Sequence, residues 1–550
     1  MKTAPAPARR VLSASAALLV AGAFATPSLA AQTAAPVAAP RTRLVVQLTV
    51  DQLRGDYLDR YASQYTGGLK WLATHGAFFA NATHDHAVTE TAPGHATLWS
   101  GRHPSSTGIV RNADGVQDPQ TPLLLDSKGG GASPFRFRGS ALFDWIRSDN
   151  QWSQALSVSR KDRGAILPLG RAHQNVFWYG LDGNFTTSRY YADTMPGWVQ
   201  RFNARDITKP YLTMPWVTLL PAAAYAEPDS QPAENQGRAF VFPHTLDPNP
   251  RKALEDFVEV PWMDEITVAF ALNGVNELKL GLGNGTDVLA MSLSTTDAVG
   301  HRYGPDSREL HDQLLRLDRV LGKFLDSLFV LRDSSTIILA LSSDHGVQPF
   351  PAIQFPGTDP QRGKVNIKPL MDSTRSRLIA LGVESDVVDF ESGMVVLQKA
   401  RLRARGINVD SVVRSLQTAW SRLPGVQSVY RKEDLPRLAA SGNVIARRWL
   451  HAIPENLDAV LGVSLKPYYY WSTVNYATHG TPNQLDAWVP IVFAGAPFKA
   501  GRYKTEVHTV DIAPTLAAAL GISPSEAVDG NVLREALRTP PPVGRSPQRR

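Results

Sequence analysis

Residues 44–51 read LVVQLTVD, and the fold class turns on this run. It is a short apolar stretch that ends on a carboxylate. That pattern predicts a buried parallel strand with Asp51 at its C-terminal end. Three further runs have the same character. Residues 287–293 (DVLAMSL) break into Ser294-Thr295-Thr296-Asp297 and reach His301. Residues 336–341 (TIILAL) end at Ser342-Ser343-Asp344-His345. Residues 488–494 read WVPIVFA. A fifth strand is expected at 155–159. Helical patterns lie between them, near 140–148, 262–278 and 511–520. After Asp306-Ser307, a plausible cap, Leu310, Leu314, Leu317, Leu321, Phe324 and Leu328 recur at helical spacing. Strands alternating with helices predict an α/β fold with a mostly parallel central sheet flanked by helices. Ligands in such sheets gather at the carboxyl ends of the strands.

Asp51, Asp297, His301, Asp344 and His345 all stand at such ends. His479 follows at Ala477-Thr478-His479-Gly480. Each alone reads equally as a loop cap or a turn. Together they are six oxygen and nitrogen ligands with no thiolate, since the chain has no cysteine. Such a set suits zinc, with manganese and iron behind it, and is large enough for two metals.

Residues 86–112 (HAVTETAPGHATLWSGRHPSSTGIVRN) supply a hydroxyl. Pro93 and Gly94 open a helix that Gly101 stops. Thr91 therefore sits at a helix N-terminus, where unpaired N–H groups favour an anion. It is either a plain cap or a nucleophile that carries phosphate in mid-reaction.

The ends of the chain differ from its body. Lys2, Arg9 and Arg10 precede an apolar run from Val11 to Ala25, and Ser28 and Ala30 suit a cleavage site before Ala31. Residues 1–30 read as a secretory signal peptide, 31–42 as a flexible leader, and 539–550 as a disordered basic tail. The expectation is a periplasmic or secreted protein without a stable membrane anchor, monomeric or weakly oligomeric. The formal net charge of +7 falls to about zero once the signal and the arginines from Arg538 onward are set aside. No nucleic-acid surface is indicated. A catalytic domain is expected over 43–538, with irregular covering structure carrying short strands at 175–250 and an inserted lobe at about 365–450.

The motifs VDQLRGDYL, TETAPGHATLWSGRHPSSTGIV, TTDAVGHRYGP, SSDHG and THGTPN, in this order, resemble the alkaline phosphatase superfamily. The resemblance is to its Thr-nucleophile branch near the nucleotide pyrophosphatases/phosphodiesterases, and it spans most of 43–520. It implies one zinc held by Asp297, His301 and His479, and a second held by Asp51, Thr91, Asp344 and His345. Asn112, 21 residues after Thr91, matches a family Asn that contacts a phosphoryl oxygen. Lys161-Asp162-Arg163 resembles a segment of the monoesterase members in which the Lys and Arg grip non-bridging oxygens. The reading is a two-zinc alkaline phosphatase acting on small phosphate monoesters through phosphothreonine. The alternatives are a zinc phosphodiesterase or nucleotide pyrophosphatase, and a non-catalytic binding protein on the same scaffold.

Overall fold

In the computed structural model, which describes residues 41–125, 130–355, 363–471 and 477–539, the 44–50 run is the middle of the main sheet. The signal segment, residues 31–40 of the leader and the tail from 540 lie outside the described residues. Strand β1 (Leu44–Val50) is buried along its whole length. It pairs in parallel with β6 (Asp287–Leu293) on one side and β7 (Ile337–Ser342) on the other. Period-two alternation then sorts its side chains into two layers. Leu44, Val46, Leu48 and Val50 join a core with α1 (Gly68–His75), α5 (Trp262–Glu277) and α7 (Arg308–Leu331). Val45 joins an opposite core with α2 (Thr91–Ser100), α3 (Leu142–Asp149) and α8 (Ile512–Leu520). Both faces are covered, so the strand needs no polar face.

The sheet continues from β6 through β3 (Ala155–Ser159) and β4 (Asn175–Tyr179), all parallel, to the short antiparallel β5 (Phe185–Thr186). On the other flank β12 (Trp488–Ala494) runs antiparallel to β7 and to β2 (Ala77–Thr83). Strands β13 (Gly501–Tyr503) and β14 (Val507–His508) pair in parallel with β2. The mixed α/β architecture is therefore mostly parallel with one reversed strand inside it. Ser307 caps α7, its Oγ accepting from Leu310 N at 3.1 Å.

Two regions depart from the sequence reading. Within 175–250, Asn175–Tyr179 is a central-sheet strand, its aromatics packed between layers. The remainder covers the start of α7, where Asp312 accepts from Trp216 Nε1 at 2.7 Å and Tyr225 OH at 2.6 Å. The inserted lobe has a four-stranded sheet of β8 (Val388–Glu391), β9 (Met394–Leu397), β10 (Val426–Arg431) and β11 (Ala459–Leu465). Strand β11 lies between β9 and β10, so the lobe runs past the boundary at 450. The cause is burial: β11 is covered throughout and reads in sequence like a return to the main core.

Candidate active site

The strand ends converge as parallel topology requires. Asp51 ends β1, Asp297 lies in the first turn of α6 (Thr295–Tyr303) after β6, and Asp344-His345 follow β7. Lys161 follows β3 and precedes the short α4 (Asp162–Ile166). Its Nζ lies 2.5 Å from Asp51 Oδ2, 2.6 Å from Asp297 Oδ2 and 3.3 Å from Thr91 Oγ1. The nucleophile candidate, a cation and two carboxylates thus share one point.

Thr91 is the first helical residue of α2, and Glu90 holds the cap position with extended dihedrals. Thr91 is thus one residue inside the helix and does not occupy the cap position. It is 1% exposed and lies against the Lys161 ammonium. Gly94 permits this approach: a Cβ there would lie 2.1 Å from Asp344 O. This close packing is the reason position 94 is glycine.

The imidazoles are aimed by the backbone. His301 Nδ1 bonds Ala477 O at 2.7 Å, His479 Nδ1 bonds Thr89 O at 2.7 Å, and His345 Nδ1 bonds Gly346 O at 3.0 Å. Each Nε2 is left for the site. Those of His301 and His479 stand 3.2 and 3.6 Å from Asp297 Oδ1. His345 Nε2 and Asp51 Oδ1 lie 3.4 Å apart, buried, and neither has a hydrogen-bond partner. Ligand histidines are normally held this way, with the second ring nitrogen donating to a carbonyl. Two ligand groups result: Asp297, His301, His479 and Asp51, Asp297, His345, each with its atoms within 4.8 Å of one another. Asp344 joins from beside them, its Oδ2 3.8 Å from His345 Nε2. Buried, partnerless donors of this kind fit metal binding, and an all-N/O set fits zinc.

The electrostatics agree. Burial pushes the Asp51 carboxyl up, and Asp297 and Asp344 add to this. Burial opposes ionisation of Asp297 too, but Lys161, His301 and His479 outweigh it and hold it well below the carboxylate range. Burial, then the neighbouring His479, keeps His345 well below the usual imidazole value, so it stays neutral, as a ligand must. Three carboxylates this close need cations to remain ionised together.

Asn112 is anchored from two sides. Its Oδ1 accepts from Ala92 N at 2.9 Å and its own N–H donates to Glu90 Oε2 at 2.7 Å. The amide NH₂ is therefore the end left to donate. Arg163 does not reach the ligand cluster. It lies in the first turn of α4 with Nη1 3.6 Å from Asp162, and its Nε has no partner. An open cavity of about 460 Å³ lies against His301 and His479, walled by Asn112, Glu391 and Trp471.

Three residues outside the ligand candidates support them. Gln52, at φ +65°, donates from Nε2 to Asp297 Oδ1 at 2.9 Å and from its backbone to Asp344 Oδ1 at 3.2 Å. His95 Nδ1 lies 3.2 Å from Asp344 Oδ2, which makes it an orienting neighbour rather than a ligand candidate. Thr89 holds His479. The polar run Thr89-Glu90-Thr91 was the one available signal. A further cluster, Asp85, His103 and His451, is occupied otherwise: Arg447 binds Asp85, and the two rings stack at 3.9 Å.

Comparison with known proteins bears on what such a site does. Residues 45–480 match the model of the type I phosphodiesterase/nucleotide pyrophosphatase family. The chain belongs to that family. Its relatives include alkaline phosphatase PhoV of Synechococcus elongatus, 29% identical over 92% of this chain and 94% of that one. Alkaline phosphatase PafA of Elizabethkingia meningoseptica is 28% identical over 91% and 95%. The PafA crystal structure superposes with a TM-score of 0.83 at 26% identity, over 91% of this chain and all of that one. A solved PafA variant is altered at one Thr, one Asn, one Lys and one Arg. Mouse ectonucleotide pyrophosphatase/phosphodiesterase family member 7 matches 48% of this chain at 26% identity. The family member described here is thus an enzyme of the phosphoester-hydrolase kind, similar over its length to alkaline phosphatases.

Proposed function

We propose that the chain is an exported zinc alkaline phosphatase that hydrolyses small phosphate monoesters through a phosphothreonine at Thr91. The observation that carries this is Lys161, a cation 3.3 Å from the Thr91 hydroxyl and locked to two site carboxylates. A phosphodiester has no dianionic terminus for such a cation to hold. The full-length kinship to alkaline phosphatases, against a half-length match to a phosphodiesterase family member, supports the same choice.

Asp297, His301 and His479 would hold one zinc, and Asp51, Asp344, His345 and Thr91 the other. Two such ions lower the pKa of a bound hydroxyl and neutralise charge on attacking and leaving oxygens. The protein's own groups do the rest. The Thr91 oxygen forms a bond to phosphorus as the bond to the alcohol oxygen breaks, and the alcohol departs into the cavity beside His301 and His479. The N-terminus of α2 and the Asn112 amide receive the phosphoryl oxygens. Water then attacks phosphorus from the vacated side and Thr91 is regenerated. Lys161 and Arg163 hold the terminal oxygens throughout.

Purified mature protein should contain about two zinc equivalents and turn over an aryl monoester well ahead of an aryl methyl diester, with EDTA abolishing both activities. Full activity in a metal-free, EDTA-treated sample would remove the zinc reading. A diester preference would favour the phosphodiesterase.

Export is part of the proposal and rests on residues 1–30, with cleavage near Ala30 and release to the periplasm or medium. No helix among the described residues is long and apolar enough to cross a membrane. N-terminal sequencing of the released protein should begin at or near Ala31; a sequence beginning at Met1 would refute cleavage.

A further inference from the structure

The Thr89-Glu90-Thr91 run touches three different parts of the site. Thr89 orients His479, and Thr91 presents the hydroxyl. Glu90, between them, points its carboxylate the other way and spans two elements. Its Oε2 accepts from Asn112 N at 2.7 Å, and its Oε1 accepts from Ser392 Oγ at 2.5 Å. Ser392 lies at the turn between β8 and β9 of the lobe, at φ +51°, with Gly393 following at φ +81°. That left-handed pair is a tight hairpin turn whose tip is held in one place. Beside it, Glu391 of the lobe pairs with Arg111, the neighbour of Asn112, at 2.7 Å. One ion pair, Arg111–Glu391, and one charge-assisted hydrogen bond, Ser392 to Glu90, therefore tie the lobe to the two segments that carry Asn112 and Thr91. Glu90 and Ser392 also line the cavity next to His301 and His479.

We propose that Glu90 is a positioning residue that clamps Asn112 against the start of α2 and uses the lobe hairpin as its second anchor. The assignment rests on Asn112 binding a phosphoryl oxygen, as set out above. Glu90 acts through Asn112. It fixes the backbone of Asn112, whose side-chain oxygen is fixed in turn by Ala92 N, so the NH₂ end keeps a single direction. The lobe thereby acts on the phosphoryl site through one carboxylate.

A double-mutant cycle tests this. kcat/KM on an aryl phosphate is measured for Glu90→Ala and Glu90→Asp, in the parent and in Asn112→Ala. Glu90→Asp keeps the charge but shortens the arm, so it can no longer span both partners. Glu90→Ala should lose roughly tenfold or more in the parent, as a charge-assisted bond at a catalytic position does, and Glu90→Asp a smaller factor. Both losses should shrink to under about twofold once Asn112 is alanine, because coupled residues are not additive. Ser392→Ala should cost a few-fold in the parent and about nothing beside Asn112→Ala. Equal losses in both backgrounds would overturn the Glu90 assignment alone. An Asn112→Ala enzyme as fast as the parent would overturn the phosphate role of Asn112 and the Glu90 assignment with it.

Discussion

Replacing Thr91 by alanine should cost phosphate-monoester turnover roughly a thousandfold or more while zinc still binds. The other six ligand candidates lie outside α2 and keep their own supports. His301, His345 and His479 are aimed by carbonyls that the substitution does not touch. Asp344 is braced by His95 and by Gln52 N. What disappears is the hydroxyl that lies 3.3 Å from Lys161 Nζ. Thr91→Ser should retain substantial activity, since a primary hydroxyl occupies the same first-turn position of α2. The measurement is steady-state turnover alongside metal content. An alanine variant that turns over monoesters at the parent rate would place the nucleophile elsewhere.

The second large effect concerns Lys161 and Arg163. In a Lys161→Ala/Arg163→Ala variant the monoester rate should drop on the order of a thousandfold, at about 1.5–3 kcal/mol for each charge-assisted bond. The losses will not simply add, since both cations act on one phosphoryl group. Diester hydrolysis should fall much less, because a diester carries one charge and an organic group where the monoester has a terminal oxygen. The two cations enter differently. Lys161 is already inside the carboxylate cluster, so its removal also leaves Asp51 and Asp297 facing each other without it. Arg163 lies at the edge, with its Nε partnerless and its contact to Asp162 long. Single variants should therefore separate, with Lys161→Ala the more damaging. The readout is kcat/KM on one aryl monoester and one aryl methyl diester, in parent and variants. Matched losses on both esters would make the pair structural and favour the phosphodiesterase.

Much of this site could be read before any geometry. Buried parallel strands leave a continuous apolar run, and the first polar residue after the run marks the sheet edge where ligands gather. That is why Asp51, Asp297, Asp344 and His345 stood out. The reversal of β12 could not be read, because an apolar run carries no direction. Strand β11 was missed for a related reason: a covered lobe strand and a covered core strand look alike in sequence. Thr89 acts through its backbone carbonyl and Glu90 through a carboxylate aimed at backbone, and such contacts have no residue-type signature. Arg163 was legible only as a resemblance, and its side chain stays apart from the ligand cluster.

The lobe interrupts the chain between two ligand candidates, His345 before it and His479 after it, 134 positions apart. Chain-closure entropy grows only with the logarithm of loop length, about 0.6 kcal/mol for each doubling. A folded insert with neighbouring ends costs the core less still. The junction is accordingly a graft point. The ligands belong to the core sheet and its adjoining turns, while the lobe meets the catalytic segment at Glu90–Ser392 and Arg111–Glu391. Descent with modification can exchange one lobe for another where the contacts to Glu90 and Arg111 are kept. A protein engineer who wants a new leaving group should transplant between these two histidines and rebuild those two handholds.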